Sequence, residues 1–283
     1  MRIKIFVLLC LTAIMQFTGV TPLKASHYYY KQLSLKDGVT SAVRCILTDK
    51  QGFVWIGTKA GISRYDGHEL KKYVYSPNNP HSIPNNLIHQ IAEDEMSNIW
   101  ILTDKGIARY QRQSDDFFLP TDEKGNPIIA YSTCLTKDGV LFGSKDKVYF
   151  YSYRDSSLRL LQKLNKGNNF NISLLSLWNE HTVLCCSRWQ GLALLDLKTG
   201  KHRLPPFDCG KEIMNMLIDS QNRIWIAPYN EGIKCFTHNG ELVKAYTTHN
   251  SDLSNNVVLS LAEREGKIWI GTCLLYTSPS PRD

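Results

Sequence analysis

From residue 42 onward the chain alternates short apolar runs with short polar turns. Ala42 to Leu47 is an apolar run closed by Asp49-Lys50-Gln51-Gly52, and Phe53 to Gly57 is a second, turned by Lys59-Ala60-Gly61. Ile62 to Tyr65 follows, and Leu70 to Tyr75 closes the set after Asp66-Gly67. β-branched and aromatic residues between turn formers at this spacing predict four antiparallel strands joined by hairpins. No stretch after the leader holds a 3.6-residue apolar period, so no helix is expected.

The pattern then repeats. "GFVWIGTKAGISRYD" at 52–66 returns as "SNIWILTDKGIARY" at 97–110, "RIWIAPYNEGIKCF" at 223–236 and "KIWIGT" at 267–272. Trp55 and Trp100 are 45 residues apart, as are Gly61 and Gly106 and Tyr65 and Tyr110, while Trp225 and Trp269 are 44 apart. Two worn copies lie between, "GVLFGSKDKVYFYS" with Leu141 at the Trp position and "HTVLCCSRWQGLALLD" with Leu184 there. Four strands at a period near 45 is the signature of a β-propeller blade. The expected fold is therefore all-β, six four-stranded blades of a ring of seven, with blades near 38–83, 84–128, 129–168, 169–210, 211–250 and a cut sixth at 251–272.

Repetition assigns most of the shared residues to the scaffold. A blade's flat faces are apolar and must be covered by the next blade, so Trp55, Trp100, Trp225 and Trp269, with Tyr65 and Tyr110, are expected to pack between blades. The turn glycines Gly61, Gly106 and Gly232 are expected to supply backbone angles that a side chain would forbid, and Gly57, at the end of the second strand, belongs to the same structural repeat. Asp49, Asp94 and Asp219 recur at the turn after the first strand and read as turn formers.

The two ends depart from the repeat. Arg2 and Lys4 precede "IFVLLCLTAIMQF", an apolar run of 13 residues, and Ala25 offers a cleavage position, which together read as a secretory signal peptide over 1–25. An uncleaved anchor is the alternative, because Leu23 stands where a small residue is preferred. After Thr272 a polar turn, a Gly and a Tyr-Asp strand are due, but residues 273–283 read "CLLYTSPSPRD". That peptide back-translates to a transposon-type sequencing adapter read in frame and is set apart from the fold, a native Ser/Pro linker being the alternative. "HYYYKQLSL", before the first unit, reads as a strand that would close the ring, and a ring left open would expose apolar blade faces and lower solubility.

Composition narrows the function. The formal charge of +7 becomes +4 without Arg2, Lys4 and Lys24, spread along the chain, so no clustered basic face for nucleic acid is expected. Cys45, Cys134, Cys185, Cys186, Cys209 and Cys235 have neither zinc spacing nor disulfide-scaffold density and read as small buried thiols, although an oxidising compartment allows a bridge from Cys209 to Cys235 or Cys185. The histidines are scattered, with His181 and His238 near turns and expected in solvent. No metal site, cofactor motif or catalytic motif such as H-E-x-x-H, G-x-S-x-G or a P-loop is present.

The better pointer is where the repeat is broken. The turn between the second and third strands is Lys59-Ala60 or Asp104-Lys105 in plain units but Arg188-Trp189-Gln190 and Tyr229-Asn230-Glu231 in units four and five. By strand parity this turn emerges on the same side as the long links between blades. Arg188, Trp189, Tyr229 and Asn230 are thus candidate ligand-binding residues, since an aromatic ring stacks on the CH face of a sugar while Arg and Asn bond its hydroxyls. The competing reading is that Trp189 and Tyr229 replace missing scaffold residues or bury against neighbouring blades.

"DKQGFVWIGTKAGISRYDG", the link "PNNPHSIPNN" and their repetition resemble the two-component regulator propeller of bacterial hybrid two-component sensors. The resemblance spans residues 28–272, weakly in units three and four. It implies two seven-bladed propellers, a β-sandwich, one membrane helix, a histidine kinase, a receiver and often a DNA-binding domain in the full-length chain. It further implies a periplasmic sensor anchored in the inner membrane, dimeric when whole, that answers an oligosaccharide by switching on glycan-utilisation genes. This stretch holds none of the kinase or DNA-binding parts, so it is expected to be neither enzyme nor nucleic-acid binder. The alternative is a freestanding secreted propeller that binds glycans or acts as a polysaccharide lyase.

Overall fold

The computed structural model describes residues 42–164, 170–210 and 212–274. The leader, "HYYYKQLSL" and the tail beyond Leu274 lie outside the described residues. Among the described residues every regular element is a strand, and no helix is long and apolar enough to cross a membrane.

Five four-stranded sheets and one two-stranded sheet follow each other along the chain. The first comprises β1 (Val43–Thr48), β2 (Val54–Thr58), β3 (Gly61–Tyr65) and β4 (Leu70–Tyr73). The second holds β5 (Ile88–Glu93), β6 (Ile99–Thr103), β7 (Gly106–Gln111) and β8 (Asp116–Phe118), and the third β9 (Ser132–Thr136), β10 (Gly139–Ser144), β11 (Lys147–Ser152) and β12 (Leu158–Lys163). In the fourth are β13 (Leu174–Asn179), β14 (Thr182–Ser187), β15 (Gly191–Asp196) and β16 (His202–Arg203), and in the fifth β17 (Ile213–Ile218), β18 (Ile224–Pro228), β19 (Ile233–Phe236) and β20 (Leu242–Tyr246). β21 (Val258–Arg264) and β22 (Lys267–Thr272) form the sixth. Each sheet is an antiparallel meander in chain order, the arrangement of propeller blades.

Between successive blades lies one apolar cluster. Trp55 of β2 packs with Ile91, Ile101 and Tyr110 of the second blade, its ring 4.8 Å from that of Tyr110. Trp100 meets Phe142 and Tyr151 of the third, again 4.8 Å from the Tyr151 ring. In the worn blades Leu141 and Leu184 fill the same place against the fourth and fifth blades. Alternation sorts the two faces: along a second strand the Trp side points to the following blade and the intervening residues to the preceding one.

The expected tryptophans do not share one environment. Trp55 and Trp100 are fully buried and Trp225 nearly so, whereas Trp269 is 62% exposed. Among the described residues the sixth blade has no third or fourth strand and nothing stands on its following side, so the ring of Trp269 has no cover. At the other end of the array Ile46 is 64% exposed, while its counterpart Ile91 is buried against the first blade. Tyr110 packs against the preceding blade as expected, but Tyr65 is half-buried and its hydroxyl donates to the Gly67 carbonyl.

The recurrent aspartates do more than turn the chain. Asp49 accepts from the Gln51 and Phe53 amides and, with its other oxygen, from the Trp55 indole at 2.9 Å. Asp94 and Asp219 accept from Trp100 and Trp225 at 2.7 and 2.8 Å. Each carboxylate thus anchors both the hairpin and the aromatic that faces the next blade. Burial raises the carboxyl pKa of Asp49 and Asp219, but the indole, turn amides and a neighbouring arginine outweigh it and leave both below the usual range.

A second polar clamp joins the first two blades. Asp115, with a left-handed φ of 57°, accepts from the hydroxyls of Tyr73 at 2.6 Å and Tyr110 at 2.5 Å, and pairs with Arg64 and Lys71. Burial opposes ionisation, yet Lys71 and the two hydroxyls outweigh it and hold this carboxyl at about 2. Because its folded pKa lies below the unfolded value of about 3.9, its contribution is complete above that pH and vanishes as pH falls toward 2. Discounted for partial exposure, the loss is on the order of 1–2 kcal/mol. Denaturant unfolding at pH 7 and pH 3 should show a smaller pH dependence in Asp115→Asn than in the native chain; equal slopes would remove Asp115 from the acid response.

One further expectation changes, that for His238. Gly57 has no positive φ; it is small because a Cβ there would stand 2.5 Å from Cys45 Sγ and 2.7 Å from Ile88 Cγ2, so space rather than backbone angle requires it. His238 is not solvated: its ring lies 4.2 Å from that of Trp178, and its Nδ1 is buried. The described cysteines are all free thiols, with no bridge from Cys209. Burial pushes Cys134, Cys186 and Cys209 up to about 12 and Cys45 to about 11, which keeps them protonated and unreactive.

Candidate functional site

The turn between the second and third strands leaves each blade at one end, beside the link to the next blade. The Gly61 amide donates to the carbonyl of Asn86 in the first link at 2.8 Å, and the Gly232 amide to Asn256 at 2.9 Å. Turn and link therefore share a side, as strand parity requires. Gly232 must be glycine, since its φ is 77° and a Cβ would stand 2.1 Å from the Tyr246 carbonyl oxygen.

Where the fourth and fifth blades meet at this end is a cavity of about 310 Å³ lined by Arg188, Trp189, Glu212, Met214 and Tyr229. Backbone bonds hold its three segments together. The Ile213 amide donates to the Arg188 carbonyl at 3.0 Å, tying the β14–β15 turn to the start of β17, and the Tyr229 amide donates to the Glu212 carbonyl at 2.7 Å. The Arg188 guanidinium lies 5.3 Å over the Trp189 ring, with Nη2 3.3 Å from Met214 Sδ. Trp189 is 65% exposed and Tyr229 52% exposed, so neither fills a scaffold position.

Of the residues singled out in sequence, Arg188, Trp189 and Tyr229 thus line one cavity, although Trp189 and Tyr229 are 40 positions apart. Asn230 stands beside it, exposed, in a left-handed turn with φ 58°. Trp55, Gly57, Gly61, Tyr65, Trp100, Gly106, Tyr110, Trp225, Gly232 and Trp269 contribute no wall to it. Glu212 and Met214 carried no visible signal: Met214 sits at the start of the inner strand, where other blades place residues as different as His89 and Tyr131, and only packing of blade on blade brings it to the turn. A larger groove of about 780 Å³ borders the fourth blade, but it is a shallow trough along the Leu204–Gly210 link. Among the described residues no group of three His, Cys, Asp or Glu side chains could hold a metal ion.

The second equivalent end carries a different set. His89 Nε2 is 2.5 Å from Asp104 Oδ1, and the His89 ring meets Tyr131 edge-on at 5.4 Å. At this corner the side chains engage one another, whereas at the Arg188 corner they line a cavity.

A family model described as two component regulator propeller matches residues 37–60 and 252–273, stretches that take in the first two strands of the first and sixth blades. Over these two stretches the chain is similar to that repeat. Comparison with curated proteins finds no match. Among solved structures, this chain superimposes on the extracellular domain of a one component system from B. thetaiotaomicron with a TM-score of 0.65 at 18% identity, covering 81% of this chain and 34% of that one. It matches the extracellular domain of a hybrid two component system from the same organism with a TM-score of 0.59 at 18% identity, over 86% and 40%. PorZ, a surface component of the type-IX secretion system of Porphyromonas gingivalis, gives 0.62 at 17% identity, over 82% and 37%. At these identities the likeness is one of fold, the β-propeller. The chain spans between about a third and two fifths of these relatives' lengths.

Proposed function

We propose that this propeller is the periplasmic ligand-sensing part of a membrane-anchored hybrid two-component sensor, and that it responds to an oligosaccharide to control glycan-utilisation genes. The observation that carries the reading is the cavity at the fourth and fifth blades, where two exposed aromatic rings stand beside an arginine and a glutamate. Such a wall suits a sugar: the CH face stacks on a ring and the hydroxyls bond the charged groups. The repeat match and the sensor ectodomains of like fold support the signalling half. In the whole sensor a second propeller, a membrane helix and a kinase would follow, and the protein would act as a homodimer; the leader over 1–25 would export it. No catalytic residue is assigned to the cavity.

Calorimetric titration of the purified chain with a panel of oligosaccharides tests this against Trp189→Ala/Tyr229→Ala. One member of the panel should bind, and the double variant should lose at least tenfold in affinity with an unchanged thermal midpoint, since both rings are exposed. Unchanged affinity in the variant removes these residues from the site.

A further inference from the structure

The residue that follows the second strand occupies the same place in every blade, at the end where the cavity opens. In the first five blades it is Lys59, Asp104, Lys145, Arg188 and Tyr229. Three are cations, and all three are exposed. The single anion among them, Asp104, is engaged by His89 at 2.5 Å. Lys59, Lys145 and Arg188 form no ion pair among the described residues, although lysines and arginines elsewhere do, for example Arg112 with Asp49 and Arg223 with Asp219. This end of the blades therefore presents unpaired positive charge despite the small net charge of the chain.

Arg188 is the best placed of the three. Its guanidinium is laid on the Trp189 ring and against Met214 Sδ, which fixes a flexible side chain in the cavity wall before any ligand arrives. Lys145 stands next to it around the ring: the Ile172 amide donates to the Lys145 carbonyl at 2.8 Å, just as the Ile213 amide donates to that of Arg188 one blade later. Glu212, also in the wall, would repel an anion but accept from hydroxyls. The cavity thus offers a cation at Arg188 and a hydroxyl acceptor at Glu212.

Building on the sugar-binding reading above, we infer that the preferred ligand is an acidic saccharide, whose carboxylate or sulfate lies on Arg188 on the Lys145 side and whose hydroxyls face Glu212. A planar guanidinium grips such a group through two parallel hydrogen bonds, which lysine or a neutral amide cannot reproduce.

The test compares two ligands that differ only in the acid group, a uronate-containing oligosaccharide and its carboxyl-reduced counterpart, titrated into the purified chain and into Arg188→Gln. The acidic form should bind at least tenfold more tightly, the preference should shrink as salt rises, and Arg188→Gln should bind the two forms alike, whatever affinity it loses for both. Equal affinity of the native chain for both ligands overturns the acidic class and leaves the sugar reading standing. A preference that survives in Arg188→Gln overturns the assignment to Arg188. Binding of neither ligand overturns both readings.

Discussion

Trp100→Ala should destabilise the chain by on the order of 5 kcal/mol, while Trp269→Ala should change stability by less than about 0.5 kcal/mol. The two residues occupy the same position of the repeat. Trp100 is fully buried, in edge contacts with the rings of Phe142 and Tyr151 and with its indole donating to Asp94. Truncation opens a cavity between the second and third blades, worth about 3–5 kcal/mol, and strips a buried carboxylate of one donor, worth about 1–3 kcal/mol more. Trp269 has lost little surface to begin with. Denaturant melts of the two variants give the difference, and hydrogen exchange should place the Trp100→Ala loss at the second and third blades, because each blade contacts only its neighbours. Equal losses from the two substitutions would mean that the inter-blade contact is not what the tryptophan supplies.

Asp219→Ala should cost about 3–5 kcal/mol, several times the cost of Asp196→Ala. Asp219 is buried and accepts from the amides of Gln221 and Arg223, from Arg223 Nε and from the Trp225 indole. Its removal orphans the indole and frees the turn at once. Asp196 also closes a turn, accepting from the amides of Lys198 and Thr199, but it does so in solvent, where water replaces it. Asp219→Asn separates the two roles: one oxygen still serves the turn, and the loss should fall to roughly half. Unfolding midpoints of the three variants check this order; an Asp196→Ala as damaging as Asp219→Ala would show that these aspartates act only as turn formers.

Strands, hairpins and the 45-residue period were legible in the chain itself, because alternation and turn chemistry are set by neighbours two to five positions apart. So was the departure at Arg188-Trp189 and Tyr229, since a repeat exposes its own exceptions. The turn at Asp49 was equally visible, but its bond to Trp55 was not, because it depends on a ring turned inward between blades. Asp115 gave no signal at all: its partners Arg64, Lys71 and Tyr73 come from the preceding blade, 51, 44 and 42 positions away.

The amino-acid sequence by itself determined the all-β class, the four-strand unit, its repetition and the residues that break it. Only the tertiary structure decided which copies of a repeated residue matter, covering Trp100 and leaving Trp269 bare, and which side chains meet Arg188 and Trp189 in a cavity with Glu212 and Met214. The reason is physical. A strand or a turn is written by local sterics and hydrogen bonding, whereas burial and a binding wall arise only when one blade's face is laid against the next.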